Sequence, residues 1–282
     1  MNGPGRRPLA CAPKTSLRGV VVPRYDFSAQ RLFVEEPLAA QRQFELTQPQ
    51  TNYLSSVLRL RAGDQVLVFN GRDGEWLAEI GNASKRGAGV LVRTQTRAQE
   101  SGPDIDYCFA PLKHARLDYM VQKAVEMGAQ RLIPVLTKRT QVSRINLARM
   151  RANAIEAAEQ CGILVLPQIV QETSLSSYLA ERSPDRLLVF CDEEAEVADP
   201  LAVLRDAKCK LGNVPSLALL IGPEGGFDPA ERETLLAAAN VLPISLGPRI
   251  LRADTAAVAG LALLQAVLGD WTGAQPRTTM SP

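Results

Sequence analysis

The 282-residue sequence contains only one histidine, His114, and its five cysteines include no Cys-x-x-Cys pair. A single imidazole excludes any site that needs two histidines. An odd number of widely spaced cysteines argues against a disulfide framework and against structural zinc. We therefore predict reduced thiols and no bound metal. A Ser-His-Asp hydrolase would depend on His114 alone, and the sequence contains no Gly-x-Ser-x-Gly motif to accompany it.

The chain also lacks long apolar segments and a strong excess of charge. No apolar run approaches the roughly 18 residues that cross a bilayer, and no signal peptide opens the sequence, so we expect a cytoplasmic protein that is not bound to a membrane. The net charge is +2, but residues 1–100 carry 14 basic side chains against 9 acidic ones, whereas the remainder carries 18 against 21. The front of the chain is therefore either a nucleic-acid-binding surface or a solvated basic face.

Changes of pattern along the chain predict two domains with flanking segments. In order, the parts are a disordered basic extension (residues 1–22), a small β-barrel-like domain (23–97), a linker (98–103), a domain of alternating strands and helices (104–271) and a flexible tail (272–282). The alternation in the larger domain predicts a parallel sheet covered by helices on both faces, which is an α/β fold. Periodicity alone suggests a Rossmann-like open sheet for it.

The segment LIGPEGGFDPAE, which begins at Leu220, joins the end of an apolar strand to a glycine-rich turn and a helix start. Asp228, Pro229 and Glu231 predict an N-cap, a first-turn proline and a capping-box glutamate. The turn matches neither common phosphate-binding loop, and it carries Glu224 where a polyphosphate would require a lysine. A neutral or cationic small molecule is therefore the expected ligand at this strand end.

A second glycine-proline pair follows another short apolar strand, in the segment LGPRILRADTA from Leu246 to Ala256. Together the two segments resemble the end of the ribosomal RNA uridine-N3 methyltransferase family of the SPOUT class, whose members have GPEGG followed by LGxRILRxETA. The similarity includes VLRLRAGD from Val57, LDYMVQKAVEMGA from Leu117 and EAAEQCG from Glu156, in the family's order. It therefore extends over most of the chain.

The resemblance implies a fold, a reaction and an assembly. The fold is a PUA-like RNA-binding front domain followed by a SPOUT methyltransferase domain with a C-terminal trefoil knot, which periodicity does not reveal because knots are rare. The reaction uses S-adenosylmethionine to form N3-methyluridine in small-subunit (16S) ribosomal RNA, either naked or in its assembled particle. The assembly is a homodimer.

Two other functions remain open from the sequence. A relative that methylates ribose 2′-hydroxyls of RNA would bind the cofactor in a similar way. A non-catalytic RNA-binding module of ribosome assembly is disfavoured by the intact loops. It stays open because Ile163 replaces an arginine that is frequent in the family and Asp254 replaces its usual glutamate.

The resemblance implies that the cofactor lies between the two loops, where glycines allow close approach of the backbone to a flat ring. Ile250 and Leu251 would pack on the adenine. The predicted cofactor contacts are Leu220, Ile221, Gly222, Pro223, Glu224, Gly225 and Gly226 in the first loop, and Leu246, Gly247, Arg249, Ile250 and Leu251 in the second.

Methylation at N3 requires loss of the imide proton, and the negative charge spreads onto the flanking carbonyl oxygens. We predict that Arg249 and Arg252 stabilise this charge and that Asp254 accepts the proton. Two structural roles compete with this prediction. Asp254 would be the N-cap of the last helix, or Arg252 would pair with Asp254 to hold the loop closed.

RNA contacts are predicted for basic residues of both domains. Any one of these residues, considered alone, is more often an ordinary surface residue than an RNA contact. The candidates are Arg24, Arg59, Arg61, Arg72, Lys113 and Arg139.

Overall fold

The computed structural model describes residues 30–83, 87–142, 144–195, 199–211 and 216–271. Three sequence predictions fall elsewhere. The predicted basic extension at residues 1–22, Arg24 and the predicted tail at residues 272–282 lie outside the described residues.

The front of the chain forms a five-stranded sheet in the order β1-β3-β4-β5-β2. Its strands are β1 (Arg31–Phe33), β2 (Gln43–Glu45), β3 (Gln65–Phe69), β4 (Glu75–Ala83) and β5 (Ala88–Arg97). A short helix, α1 (Gln48–Asn52), continues into a π-helical turn at Tyr53–Val57. β1 and β3 are parallel and the other pairs are antiparallel. Alternate residues of these strands, such as Val90 and Val92, form a core of their own.

A tight turn joins β3 to β4. Asn70 Oδ1 accepts hydrogen bonds from the N–H groups of Arg72 and Asp73, at 3.1 and 2.9 Å. Hydrogen bonds from the Leu38 N–H and from the Asn70 amide lower the pKa of Asp73. Gly74 has φ +81°, and a Cβ there would lie 2.3 Å from the carbonyl oxygen of Arg97, so glycine is required at this position.

The second sheet consists entirely of parallel strands, in the order β12-β10-β11-β6-β7-β8, with β9 paired to β7. Its strands are β6 (Asp104–Phe109), β7 (Arg131–Leu136), β8 (Gln168–Ile169), β9 (Thr173–Ser174), β10 (Leu187–Cys191), β11 (Ser216–Ile221) and β12 (Val241–Ile244). The helices are α2 (His114–Glu126), α3 (Leu147–Cys161), α4 (Leu175–Glu181), α5 (Pro200–Leu211), α6 (Pro229–Ala237) and α7 (Ala253–Val267).

Both faces of the parallel sheet are buried, because successive side chains of a strand point to opposite sides. On one face, Leu219 belongs to a cluster that includes residues of α2, α3 and α7. On the other face, Leu220 packs with residues of α4 and α6, among them Leu235. This arrangement explains why β11 has an uninterrupted apolar sequence. It agrees with the predicted α/β architecture and with the predicted order of the longer strands and helices.

Several elements are absent from the sequence prediction. β1, β8 and β9 have two or three residues each, and α4 has seven, so none spans enough residues to show a clear period. The twelve-residue helix α5 is also missing from the prediction. Its place in the fold is set by packing against α7, which the sequence does not show.

The two sheets are joined by buried polar contacts. Arg97 Nη1 at the end of β5 donates to the carbonyl oxygen of Gly162 at 2.8 Å, and Glu159 Oε1 on α3 accepts from the Phe33 N–H at 2.8 Å. Arg97 Nη1 also lies 3.6 Å from Glu75 Oε2, which Arg31 Nε approaches at 2.9 Å. Because Arg31, Glu75 and Arg97 are all buried, removing Glu75 would leave two buried guanidinium groups without their shared carboxylate.

We predict that Glu159→Gln leaves the protein at least as stable as the wild type at neutral pH. Burial raises the pKa of Glu159 in the folded state, so ionisation of this carboxyl group opposes folding. The contribution of Glu159 to the free energy of unfolding therefore falls as the pH rises from its unfolded-state pKa through its folded-state pKa. Glutamine keeps an acceptor for the Phe33 N–H and removes the charge. Urea denaturation at pH 5 and pH 7 measures the difference.

The matched control is Glu159→Ala, which removes the acceptor as well. It should lower the free energy of unfolding by about 1–3 kcal/mol, because the Phe33 N–H loses its partner. If glutamine and alanine destabilise the protein equally, the hydrogen bond to Phe33 has no measurable value.

Candidate functional site

Three neighbouring parallel strands, β10, β11 and β12, end at one edge of the sheet, and the loops that follow them enclose a cavity of about 260 Å³. The two segments singled out in the sequence supply much of its wall. The register that pairs Phe190 with both Leu220 and Pro243 brings these loops together. The predicted convergence of two strand ends on one site is therefore a property of this structure.

The loop after β11 is held in place by the start of α6. Asp228 is the N-cap, its carboxylate accepts from the Ala230 N–H at 3.1 Å, and Glu231 Oε2 accepts from the Asp228 N–H at 3.1 Å, which confirms the predicted capping box. Lys138 Nζ donates to Asp228 Oδ1 at 2.9 Å, and this contact is the main reason that the pKa of Asp228 is lowered.

Two glycines of this loop are required by close approach. A Cβ at Gly222 would lie 2.9 Å from a ring carbon of Phe227, and a Cβ at Gly226 would lie 3.0 Å from Glu193 Oε1. Gly226 also has φ +68°, and its N–H donates to the carbonyl oxygen of Pro223 at 2.9 Å, which closes the turn. The turn is thus compact because its glycines carry no side chains.

Charged side chains from outside the loop fix its middle. Arg139 Nη1 donates to the carbonyl oxygen of Gly225 at 2.6 Å, and Arg116 Nη1 lies 3.4 Å from Glu224 Oε1. Arg139, a candidate RNA contact in the sequence, therefore lines the cavity. Leu220 is fully buried in β11, and neither Leu220 nor Gly225 lines the cavity.

The loop after β12 forms the opposite wall, with Leu246, Gly247, Arg249, Ile250 and Leu251 all facing the cavity. Ile250 is 89% exposed and lies at the rim, whereas Leu251 is half-buried. The sequence prediction treats both as adenine contacts. Both side chains line the cavity, but Leu251 is partly buried in its wall, whereas Ile250 is open to solvent.

The start of α7 decides between the structural alternatives that the sequence left open for Asp254 and Arg252. Arg252, not Asp254, is the N-cap residue, and Asp254 lies in the first turn with its Oδ1 accepting from the Thr255 N–H at 2.9 Å. Among the described residues, neither Arg249 nor Arg252 forms an ion pair or a side-chain hydrogen bond, so the alternative in which Arg252 pairs with Asp254 is not observed. Arg252 lines the cavity, and Asp254 does not.

The end of β10 contributes an acidic wall that the sequence prediction misses. Asp192, Glu193 and Glu194 line the cavity beside Cys191, and Arg232 Nη2 pairs with Asp192 Oδ2 at 2.9 Å. Burial raises the pKa of the Cys191 thiol to about 12, so the thiol is neutral at physiological pH. The signal was available, because these carboxylates directly follow the apolar run LLVFC.

The predicted RNA contacts differ in whether their side chains already bind other groups of the protein. Arg59 and Arg61 are exposed, and Arg59 has φ +59°, which is uncommon for a residue with a side chain. Arg72 Nη2 donates to the carbonyl oxygen of Glu35 at 2.7 Å, so this arginine stabilises its own domain. Lys113 is exposed at the N-cap position of α2.

Acidic, basic and apolar side chains line the cavity, the basic ones being Arg139, Arg232, Arg249 and Arg252. Its acidic and apolar parts fit a cationic ligand that carries a flat ring. Carboxylates of Glu193 and Glu194 stand beside apolar side chains such as Phe227 and Leu251, and glycines open the backbone to contact. S-adenosylmethionine, a sulfonium joined to adenosine, combines these features. In the described residues, no group of His, Cys, Asp and Glu side chains is arranged to hold a metal ion. The described helices include none with the length and apolar character of a membrane span.

Family models match two regions of the chain. An RNA methyltransferase domain matches residues 99–265, and an RNA methyltransferase PUA domain matches residues 46–92. Two similar proteins are both named Ribosomal RNA small subunit methyltransferase E. The one from Rickettsia conorii is 31% identical over 82% of this chain and 93% of its own length. The one from Synechocystis sp. is 32% identical over 85% of this chain and 78% of its own length.

Solved structures agree on the fold. A protein from Legionella pneumophila, described as a methyltransferase in complex with the cofactor SAM, has a TM-score of 0.72 and 28% identity over 86% of this chain and 99% of its own. A Ribosomal RNA small subunit methyltransferase E from Neisseria gonorrhoeae has a TM-score of 0.75 at 24% identity, over 86% of this chain and 99% of its own, a likeness that concerns the fold.

We predict that Gly222→Ala weakens the binding of S-adenosylmethionine about tenfold, a change of about 1.4 kcal/mol. The new methyl group would lie 2.9 Å from the Phe227 ring and would push that ring into the cavity. Isothermal titration calorimetry measures the affinity. Gly89→Ala is the matched control, because a Cβ at Gly89 in the front sheet has no atom within 4 Å. Equal affinities for the two variants would contradict the assignment of this loop.

Proposed function

This chain belongs to the Ribosomal RNA small subunit methyltransferase E family, and from that membership we propose that it forms N3-methyluridine in small-subunit (16S) ribosomal RNA. It is an S-adenosylmethionine-dependent ribosomal RNA methyltransferase. The observation that carries the proposal is the pairing of two glycine-proline loops around one cavity. Arg249 and Arg252 lie in its wall and form no ion pair among the described residues. We propose that the protein acts on its RNA substrate in the cytoplasm.

The cofactor contacts we propose are those that line the cavity. S-adenosylmethionine supplies an electrophilic methyl group when it is bound. Gly222, Pro223 and Gly226 would contact it from one side, and Leu246, Gly247 and Leu251 from the other. Ile221 at the end of β11 would contribute an apolar contact below the turn. Glu193 and Glu194 would offset the positive charge of the sulfonium.

Arg249 and Arg252 would stabilise the uracil anion that remains after loss of the imide proton. Both guanidinium groups are free of ion pairs among the described residues, so they can bind the flanking carbonyl oxygens without first breaking another contact. Arg252 also stands at the N-cap of α7, where the positive end of the helix dipole adds to its effect. Electrostatic stabilisation of this kind requires donors that are already in position.

The acceptor of the imide proton is proposed to be a carboxylate. Asp254 is the residue that the family resemblance places beside the arginines, but its Oδ1 already accepts from the Thr255 N–H. Glu193 and Glu194 line the cavity and offer alternatives with direct access to it. A carboxylate in this position would accept the proton as the methyl group is transferred.

We propose that residues 23–97 act as the RNA-binding domain and residues 98–103 as the connection to the methyltransferase domain at 104–271. The matched PUA domain lies within the first range. Exposed Arg59 and Arg61 would contact phosphates, whereas Arg72, held by Glu35, would contribute less. Arg24, which lies outside the described residues, stays a candidate phosphate contact on the basis of the sequence alone.

A homodimer and a trefoil knot are further parts of the proposal. The dimer is supported by an incompletely buried apolar surface on neighbouring helices, where Tyr119 of α2 is 46% exposed and Val258 and Leu263 of α7 are half-buried. The knot is supported by the resemblance to the SPOUT class in the segment that follows β12. A dimer of this kind would be a closed, two-fold symmetric assembly.

Nucleoside mass spectrometry of ribosomal RNA from cells with and without the protein tests the proposed product. We expect N3-methyluridine to be absent from small-subunit RNA of cells that lack the protein and to return when the purified protein is added with S-adenosylmethionine. Loss of 2′-O-methyluridine instead would favour a ribose methyltransferase. No change in any methylated nucleoside would favour a non-catalytic role in ribosome assembly.

We predict that Arg252→Ala lowers kcat about a hundredfold or more, by analogy with the removal of an oxyanion donor. Because Arg252 has no ion-pair partner among the described residues, its removal should leave the Kd for S-adenosylmethionine and the Tm nearly unchanged. Single-turnover kinetics, calorimetry and thermal unfolding on one preparation measure all three quantities.

Two further variants complete that comparison. Arg205→Ala on the exposed side of α5 is the control and should behave as the wild type. Arg249→Ala should affect rate and cofactor affinity in different proportions, since Arg249 lies among the predicted cofactor contacts. An unchanged rate in Arg252→Ala would end its assignment as a catalytic residue.

A further inference from the structure

A second and larger cavity, of about 610 Å³, lies between the start of α2 and the start of α3. We call it the α2–α3 groove. Its floor is apolar and includes Leu117, Ile145 and Met150, while Lys113, Arg144 and Arg149 stand at its edge. The size falls in the range of small-molecule sites, and the groove combines an apolar floor with a cationic rim.

The charges of the α2–α3 groove are unbalanced. Its one acidic lining residue, Asp118, already accepts from Arg149 Nε at 2.9 Å and from Asn153 Nδ2 at 2.7 Å. Lys113 and Arg144 are exposed and form no ion pair within the described part of the chain. The groove therefore presents two positive charges that no acidic side chain among the described residues pairs.

The position of the groove relates it to the cofactor cavity. α2 follows β6, and β6 is the sheet neighbour of β11, so the groove and the cavity lie along the same edge of the parallel sheet. Arg116 of α2 reaches the first cavity through Glu224, and Arg139, in the segment between β7 and α3, reaches it through Gly225. An extended ligand that occupies the cavity can thus continue into the groove.

We propose that the α2–α3 groove binds a nucleotide of single-stranded RNA next to the target uridine, an inference that rests on the proposed function. Lys113 and Arg144 contact its phosphates, and its base packs on the apolar floor. Unpaired RNA fits because its bases are free to turn away from the strand and find an apolar surface. A double helix keeps its bases stacked on one another and would leave the apolar floor uncovered.

The test uses small ribosomal subunits purified from cells that lack the protein, and it measures binding by filter retention over a range of potassium chloride concentrations. Lys113→Gln combined with Arg144→Gln should weaken binding about tenfold and reduce the slope of log K against log salt by about 1.4, since each phosphate contact in single strands contributes roughly 0.7. The control combines Arg205→Gln with Lys210→Gln, two exposed residues of α5, and should match the wild type.

Crosslinking locates the contact. Subunits that contain 4-thiouridine are irradiated with the wild-type protein, and crosslinked peptides are identified by mass spectrometry. We expect crosslinks in the peptides that contain Leu112–Leu117 and Ile145–Met150. Crosslinks confined to the front domain, or equal affinities for the two double variants, would overturn the proposal.

Two measurements separate this proposal from others. A lower light-scattering mass for Lys113→Gln with Arg144→Gln would make the groove a contact between two copies of the chain and would overturn the RNA assignment. The affinity for S-adenosylmethionine should remain that of the wild type. Failure of the wild-type protein to form N3-methyluridine would refute the proposed function independently, because subunit binding is measured without turnover.

Discussion

The site depends on the in-register pairing of β10 with β11 on one side and β12 on the other. Backbone hydrogen bonds of a parallel sheet fix where neighbouring strands end, and here three strands end at one edge. Every feature of the cavity follows from that alignment. The glycine turn, the acidic segment and the arginine loop are distant in sequence, and they become neighbours only because these strands are adjacent in the sheet.

Rigidity at this edge comes from contacts behind the loops. Lys138 and Arg139 hold the first loop through Asp228 and Gly225, and the capping box of α6 fixes its end. These groups are engaged before any ligand arrives, whereas Arg249 and Arg252 have no ion-pair partner in the part of the chain that the structure describes. The cavity therefore combines a firmly held wall with free cations, an arrangement that suits stabilisation of a negative charge formed during a reaction.

The junction between the sheets gives the front domain a fixed relation to the catalytic one. Buried Arg97 donates to Gly162 at the end of α3, and the same helix carries Glu159, which accepts from the first strand. RNA bound by the front domain would consequently be held at a defined distance from the cavity. Burial of Arg31 and Glu75 beside Arg97 makes this junction costly to open.

The sequence by itself determined the α/β pattern, the strand that precedes each loop and the capped start of α6, because these depend on local periodicity and on side chains a few residues apart. It also identified both loops of the cavity. It did not reveal the wall of Asp192–Glu194, the groove beside α2, or the absence of an Arg252–Asp254 pair. Those features arise when the order of strands in the sheet brings distant segments together, and only the tertiary structure sets that order.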